Sequence, residues 1–383
     1  MRSALRSITA PTAVADTNET VRLSVPFPSP RATAALALIV ILVLALAPTA
    51  RAGTANAGIP GAPASNPLSG LPWGDYTGSL DGVYPAYQKA QGRDKTLLGK
   101  IALKPLTYWF GAWDSDNTVK RTIQTYLAYQ TGGQSNVLAQ FAVFRLNPWE
   151  QKACTNLPGA AARASYKRWI DHVAAAIGST RVALILQPDL PFALCPPHHR
   201  GSNVQLGLVR YAARRFNSLP HTTVYIDVGA GDWESASQAV WLLKRAGERY
   251  TRGFSLNDTH FDSTGNELRF GAEVVRLLAH AGIPGKHFVI NTAENGSPFL
   301  YYKYHGHGDP PACGTTSSKM CASLGIPPTT DVANPAWGLS SKARSIAASE
   351  ADAYMWIGRP WLDNGSYPFD PARAEAMAAS SPF

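Results

Sequence analysis

Several short apolar runs end in side chains that can bind hydroxyl groups or carry protons. Val182–Leu186 is followed by Gln187-Pro188-Asp189, and Thr223–Ile226 by Asp227-Val228-Gly229. Asn257-Asp258 follow Gly253–Leu256, Asn291-Thr292 follow His287–Ile290, and Arg359-Pro360 close the run Ala353–Ile357. Trp109, Trp233, Trp356 and Trp361 lie in or close behind such runs. Carboxylates, amides and indoles brought to one rim make a sugar site: aromatic faces stack on pyranose rings while Asp and Asn bind hydroxyls. The competing reading is that each carboxylate only caps the helix that follows it. That accounts for a single Asp more readily than for the whole set.

For these residues to share a rim, the runs must be neighbouring strands of one parallel sheet. Two further runs, Leu106–Phe110 and Leu138–Leu146, precede them. The runs are continuously apolar rather than alternating, as strands buried on both faces are. Helical patterns separate most of them, at Ala160–Ile177, Asn203–Phe216, Ser235–Glu248 and Asn266–Ala281. In the first of these, Trp169, Ile170, Val173 and Ile177 fall on one face. Strand and helix in alternation predict an α/β fold. About seven strands favour a distorted parallel barrel over an open sheet, with its chemistry at the carboxyl ends of the strands.

The chain has 383 residues, of which 45% are apolar and only 16% charged. With 32 Gly and 29 Pro, it is neither low-complexity nor collagen-like. The net charge of +9 includes +3 from residues 1–52, and the rest is spread without a run of like charges. A nucleic-acid partner is therefore not expected, and a neutral polar ligand is. GxSxG, GxxxxGK[ST], HExxH and GxGxxG motifs are all absent. His198-His199 and His305-Gly306-His307 lie in Pro/Gly-rich stretches without a nearby third ligand, so neither a metal nor any other cofactor is expected.

Ala34–Ala47 is an unbroken apolar run of 14 residues, with Arg31 before it and Pro48 after it. As a helix it would reach about 21 Å, short of a hydrocarbon core of about 30 Å. Ala50-Arg51-Ala52 supplies a small-x-small cleavage pattern, so residues 1–52 read as a leader and secretory signal. An uncleaved signal anchor is the alternative. Residues 53–72 read as a linker and 73–383 as one domain, expected to be secreted and monomeric with no stable membrane association. Export permits disulfides, and Cys154, Cys195, Cys313 and Cys321 allow three pairings.

The blocks around these residues resemble glycoside hydrolase family 6, the cellobiohydrolases and endoglucanases. Val182-Ala-Leu-Ile-Leu-Gln-Pro-Asp189-Leu resembles the family's strand ending in Glu-Pro-Asp-Ser/Ala. Val224-Tyr-Ile-Asp227-Val-Gly-Ala-Gly-Asp-Trp233 is similar to Tyr-Leu-Asp-Ala-Gly-His-x-x-Trp, and Arg252-Gly-Phe-Ser-Leu-Asn257 to Arg-Gly-Phe-x-x-Asn. His287-Phe-Val-Ile-Asn291-Thr-Ala-Glu-Asn-Gly296 is similar to Ile-Asp-Thr-Ser-Arg-Asn-Gly. Leu324-Gly-Ile-Pro-Pro-Thr329 and Asp352-Ala-Tyr-Met-Trp356 also match, and all six blocks stand in family order between Tyr108 and Gly365.

The resemblance implies a distorted barrel and an inverting β-1,4-glucan hydrolase that needs no cofactor. Its partner would be a β-glucan or related polysaccharide, soluble or in a cell wall. Asp189 then takes the role of general acid, and Asp227 that of a family carboxylate near the site. Trp109 and Trp233 become stacking residues, and Asn257 a hydroxyl ligand. The cysteine after the second strand pairs with one just past the acid strand in this family, which implies Cys154–Cys195 and leaves Cys313 with Cys321.

The chain departs from the family in several motifs. The aromatic of Tyr-x-x-Pro-x-Arg-Asp-Cys is Phe144, Ala153 stands where its Asp would precede Cys154, and Glu150 is the carboxylate counted from the aromatic. In Trp-x-Lys-x-Pro-Gly-Glu-Ser-Asp-Gly the Lys becomes Gly358, the Glu Leu362 and the proposed base Asn364, with Asp363 one residue away. Asp363 and Glu150 are therefore the candidates for base or relay. The alternative function is a saccharide-binding protein that has kept the acid and lost the base.

Overall fold

Each of the seven apolar runs forms a strand in the computed structural model, which describes residues 65–146, 155–195, 203–306, 309–363 and 366–383. The strands are β1 Tyr108–Gly111, β2 Ala139–Phe144, β3 Val182–Leu186, β4 Thr222–Asp227, β5 Gly253–Leu256, β6 His287–Asn291 and β7 Ala351–Met355. They pair in chain order, every pair parallel. The four expected helices are α4 Ala160–Ile177, α5 Asn203–Asn217, α6 Ala236–Ala246 and α7 Thr264–His280. With α1 Val83–Lys89, α2 Gly92–Ala102, α3 Val119–Thr131, α8 Ser341–Glu350 and α9 Pro371–Ser380, they surround the sheet.

Successive side chains of a strand point to opposite faces, and here both faces are packed. Val182, Leu184 and Leu186 of β3 meet Trp169, Val173 and Leu206 of the helices, whereas Ala183 and Ile185 face Ala142, Tyr225 and Val289 inside the curl. This two-sided burial is why the strands read as unbroken apolar runs. The sheet curls without closing fully: β1 and β7 are joined through the bridge between Leu106 and Trp356, where the Thr107 N–H donates to the Trp356 carbonyl at 3.0 Å. The result is the distorted barrel expected from the sequence.

The amino end of the barrel is held by a buried ion pair. Asp352, at the start of β7, receives two 2.9 Å hydrogen bonds from Arg252 and one of 2.7 Å from the Tyr225 hydroxyl. Gly253 begins β5 because a Cβ there would stand 1.6 Å from the His287 carbonyl oxygen. Residues 66–72, read from composition as the end of a linker, pack onto this end. Asn66 Nδ2 donates to the Asp352 carbonyl at 2.6 Å, and Leu68 is fully buried beside Trp73 and Leu138. An apolar barrel interior needs such a lid at its open end.

A second difference from the sequence reading concerns the last two tryptophans. Trp356 and Trp361 are buried against Leu106, Met377 and the helices α1, α2 and α9. They fill the seam where the barrel closes and offer no face to a ligand. Glu150, Cys154, His198, His199, His307 and Asn364 lie outside the described residues, as does the side chain of Asp363. Among the described residues, no helix is long and apolar enough to cross a membrane. Ala34–Ala47 falls outside them.

Candidate active site

Past the carboxyl ends of the strands lies a cavity of about 170 Å³ lined by Trp109, Asp189, Asp258, Glu294, Asp309 and Arg359, among others. Asp189 enters it from the turn after β3. Gln187 and Asp189 both adopt left-handed backbone conformations, with φ of 60° and 63°, and Asn257 after β5 does the same at 65°. Non-glycine residues rarely hold such values unless the surroundings enforce them, and such positions cluster at functional sites.

Asp227 provides part of that enforcement. Its carboxylate accepts the Leu190 N–H at 3.3 Å and the Gly229 N–H at 3.1 Å, so the loops after β3 and β4 are held on one buried group. It is 1% exposed and stands beneath Asp189 rather than lining the cavity. Burial, reinforced by the neighbouring charge of Asp189, pushes Asp227 up to about 7. Nearby, Glu234 is buried with neither carboxyl oxygen hydrogen-bonded, and burial pushes it well above the ordinary carboxyl range.

Asp189 itself is raised, chiefly by desolvation and further by the charge of Asp309. The Thr259 hydroxyl, which donates to Asp189 Oδ1 at 2.7 Å, and His260 oppose that rise. A carboxyl enclosed in this way holds its proton to higher pH than a free one, as a general acid requires.

Asn291 organises the far side. Its Nδ2 donates to the Asn257 carbonyl and to Glu294 Oε1, both at 2.9 Å, and its Oδ1 accepts the N–H groups of Ala293, Ile357 and Gly358. One amide thus ties together the ends of β5, β6 and β7. Gly358 leaves room for this carboxyl, because a Cβ there would lie 2.6 Å from Glu294 Oε1 as it now stands. The position where the resemblance places a Lys is therefore occupied by the Glu294 carboxyl.

The stacking residues divide. Trp109 lines the cavity, but it is 5% exposed, donates from Nε1 to the Ile357 carbonyl at 2.7 Å and has Arg359 Cζ 4.7 Å from its ring centroid. Trp233 lies outside the cavity lining, stacked on His260 at 4.7 Å and edge-on to Phe192. Exposed Tyr301 continues that aromatic platform from His260. Asn257, expected as a hydroxyl ligand, has its side chain engaged within the fold. It is fully buried, with its amide committed to the Asp262 and Asn291 carbonyls and the Asp262 N–H, and its neighbour Asp258 lines the cavity instead.

Thr259, Glu294, Asp309 and Arg373 also line the cavity, and sequence reasoning missed them as site residues. Glu294 stood within a recognised block. Asp309 and Arg373 lie outside the strand-end pattern, and no local signal marks them. Cys313 and Cys321 are bonded to each other. No cluster of potential metal ligands occurs among the described residues. A larger hollow of about 650 Å³ lies on the helical exterior, where Lys167 stacks over Tyr211 and Arg215 pairs with Asp171.

Comparison with known proteins adds to this geometry. Residues 73–365 match the family described as glycosyl hydrolases family 6. The chain is 32% identical over 216 residues to endoglucanase A of Cellulomonas fimi, covering 56% of this chain and 45% of that protein. It is 27% identical over 217 residues to endoglucanase 1 of Streptomyces halstedii, covering 56% and 66% respectively. It therefore spans about half to two thirds of the length of these curated relatives. Among solved structures, the Mycobacterium tuberculosis endoglucanase Cel6, in complex with a methyl-cellobiosyl-4-deoxy-4-thio-β-D-cellobioside, superposes with a TM-score of 0.62 at 27% identity. That match covers 82% of this chain and 98% of the other. A family 6 enzyme from Orpinomyces, at 17% identity and a TM-score of 0.61, shares the fold.

Proposed function

The chain belongs to glycosyl hydrolases family 6, and on that premise we propose that it hydrolyses β-1,4-glucan with inversion, Asp189 serving as the general acid. The observation that carries this reading is the placing of Asp189. It sits past the carboxyl end of β3, in a cavity with other carboxyls, and burial raises its carboxyl in the direction a general acid requires. In an inverting reaction one carboxyl protonates the leaving oxygen while a second removes a proton from the attacking water on the opposite face of the ring. Asp227 is a positioning residue, holding the turn that presents Asp189. Trp233 and Tyr301 offer aromatic faces beside the cavity for sugars further along the chain.

The protein is read as exported after removal of residues 1–52, acting as a monomer, with a second bridge between Cys154 and Cys195. The support is the apolar run Ala34–Ala47 followed by Ala50-Arg51-Ala52.

The test is release of reducing ends from a soluble β-1,4-glucan by the wild-type protein and by Asp189→Asn. Loss of roughly 10²–10⁴-fold in the variant is expected, with an unchanged circular dichroism spectrum. Unchanged turnover would reject the assignment of Asp189.

A second reading is favoured by one observation, the guanidinium of Arg359 laid over Trp109. If Arg359 remains there, the indole face is closed to a sugar, and the protein binds saccharide without cleaving it. Calorimetric binding of a cello-oligosaccharide with no product from any glucan would establish that reading.

A further inference from the structure

Four carboxyls line one cavity, and an inverting reaction needs two of them in opposite protonation states. Resting on the reading above, we infer that Asp309 is the general base, taking a proton from the water that attacks the anomeric carbon. The sequence-derived candidates, Glu150 and Asp363, have side chains outside those described. In the family pattern the base is sought in the last motif, where this chain has Asn364.

The other carboxyls are held in ways that unfit them. Asp258 is 1% exposed, its Oδ2 accepts the Ser255 hydroxyl, and it lies against Asp227. Glu294 is 5% exposed and bound to the Asn291 amide. Burial pushes both well above the ordinary range, which disfavours the ionised form that a base needs.

Asp309 differs in place and in company. It belongs to an exposed loop, where water reaches it, and shares the cavity lining with Arg359 and Arg373. Desolvation raises its carboxyl, and the two guanidiniums pull it back toward the ionised form. Its charge is in turn one of the causes that raise Asp189. A carboxyl open to water beside two guanidiniums and an enclosed one on the same cavity is the division of surroundings an acid–base pair needs.

The loop is also fixed in position. The Cys313–Cys321 bridge follows it directly in the chain, and the Ala322 N–H donates to the Pro311 carbonyl at 2.9 Å. Arg373 donates from Nη2 to the Pro310 carbonyl at 2.7 Å and from Nε to the Pro360 carbonyl. One side chain of α9 therefore joins the loop of Asp309 to the loop of Arg359.

The step balances without a further reactant. The water oxygen bonds to C1 as the C1–O bond to the leaving sugar breaks. Asp309 accepts the water proton, Asp189 gives its proton to the leaving oxygen, and exchange with solvent resets both groups.

The experiment measures pH–rate profiles of the wild type and Asp309→Asn on a soluble β-1,4-glucan, with and without sodium azide. Asp309→Asn is expected to lose roughly 10²–10⁴-fold in kcat and to lose the acidic limb of its profile. Azide, which needs no base, should restore turnover and leave an α-glycosyl azide. Folding is checked by the thermal midpoint, and Asp309→Glu should retain partial activity and the acidic limb. The inference is overturned if Asp309→Asn keeps near-wild-type activity, or loses activity while keeping the acidic limb and forming no azide product. A wild type that cleaves no glucan overturns the hydrolase reading itself, and the base assignment falls with it.

Discussion

The Thr259 hydroxyl lies 2.7 Å from Asp189 Oδ1 and donates to it, across the tops of β5 and β3. This hydrogen bond favours the ionised carboxylate and so works against the burial that raises Asp189. Thr259 thus sets the upper pH at which Asp189 still holds its proton. Thr259→Val removes the donor at nearly constant volume. The alkaline limb of the pH–rate profile is expected to move to higher pH, with the acidic limb unchanged. A profile that does not move would show that the hydroxyl leaves the acid untuned.

Asn291 and Glu294 form a matched pair. The family motif carries Asp and Arg at these places, an ion pair in principle, and this chain replaces both with an amide-to-carboxyl hydrogen bond. Asn291→Asp restores one half of the family pattern and should be harmful. It deletes three donated hydrogen bonds, to the Asn257 and Asp258 carbonyls and to Glu294, and sets a carboxylate against the buried Glu294 carboxyl, at a cost of about 3 kcal/mol. Adding Glu294→Gln supplies a donor and should recover part of that loss. Urea unfolding of the two single variants and the double would measure the coupling. Strict additivity would show that the two positions are independent.

At the other end of the barrel, Asp352 neutralises Arg252 inside the fold. Asp352→Ala leaves a buried guanidinium without its counter-charge and the Tyr225 hydroxyl without its acceptor. A loss of about 3–5 kcal/mol in unfolding free energy is expected. The double variant Asp352→Ala, Arg252→Met should be more stable than Asp352→Ala alone.

Stability should also depend on pH, with a sign fixed by burial. Asp81 is pushed up to about 6, and Asp227 and Glu248 to about 7, in each case chiefly by desolvation. A carboxyl raised in the folded state keeps its proton where the unfolded chain has lost it. The stability it contributes is fully present below the unfolded value and is lost as pH rises through 6 to 7. Asp232, lowered by the hydrogen bond and charge of His260, loses its own contribution only at more acidic pH. The thermal midpoint at pH 5 is therefore expected to lie several degrees above that at pH 8, and calorimetry at the two values tests the sign.

Much of this protein is legible in its sequence because its strands are buried on both faces. Such strands write themselves as unbroken apolar runs, and all seven were found where β1 to β7 lie. Parallel order then places Asp189 and Asp227 at one end, since every strand points the same way. The family blocks are legible for a related reason: Arg252, Gly253 and Asn257 answer to packing and hydrogen bonds made close by in the barrel.

What the tertiary structure alone decided is which side chains face the cavity. Trp356, Trp361 and Asn257 follow strands just as Asp189 does, yet they are consumed by the seam and by backbone carbonyls. Asp309 and Arg373 belong to a loop and a helix far from the strand pattern, and they reach the site where Arg373 donates to the Pro310 and Pro360 carbonyls. Periodicity records which face of an element is apolar. It cannot record which distant loop will supply a charge, because that depends on contacts between residues separated by many positions in the chain.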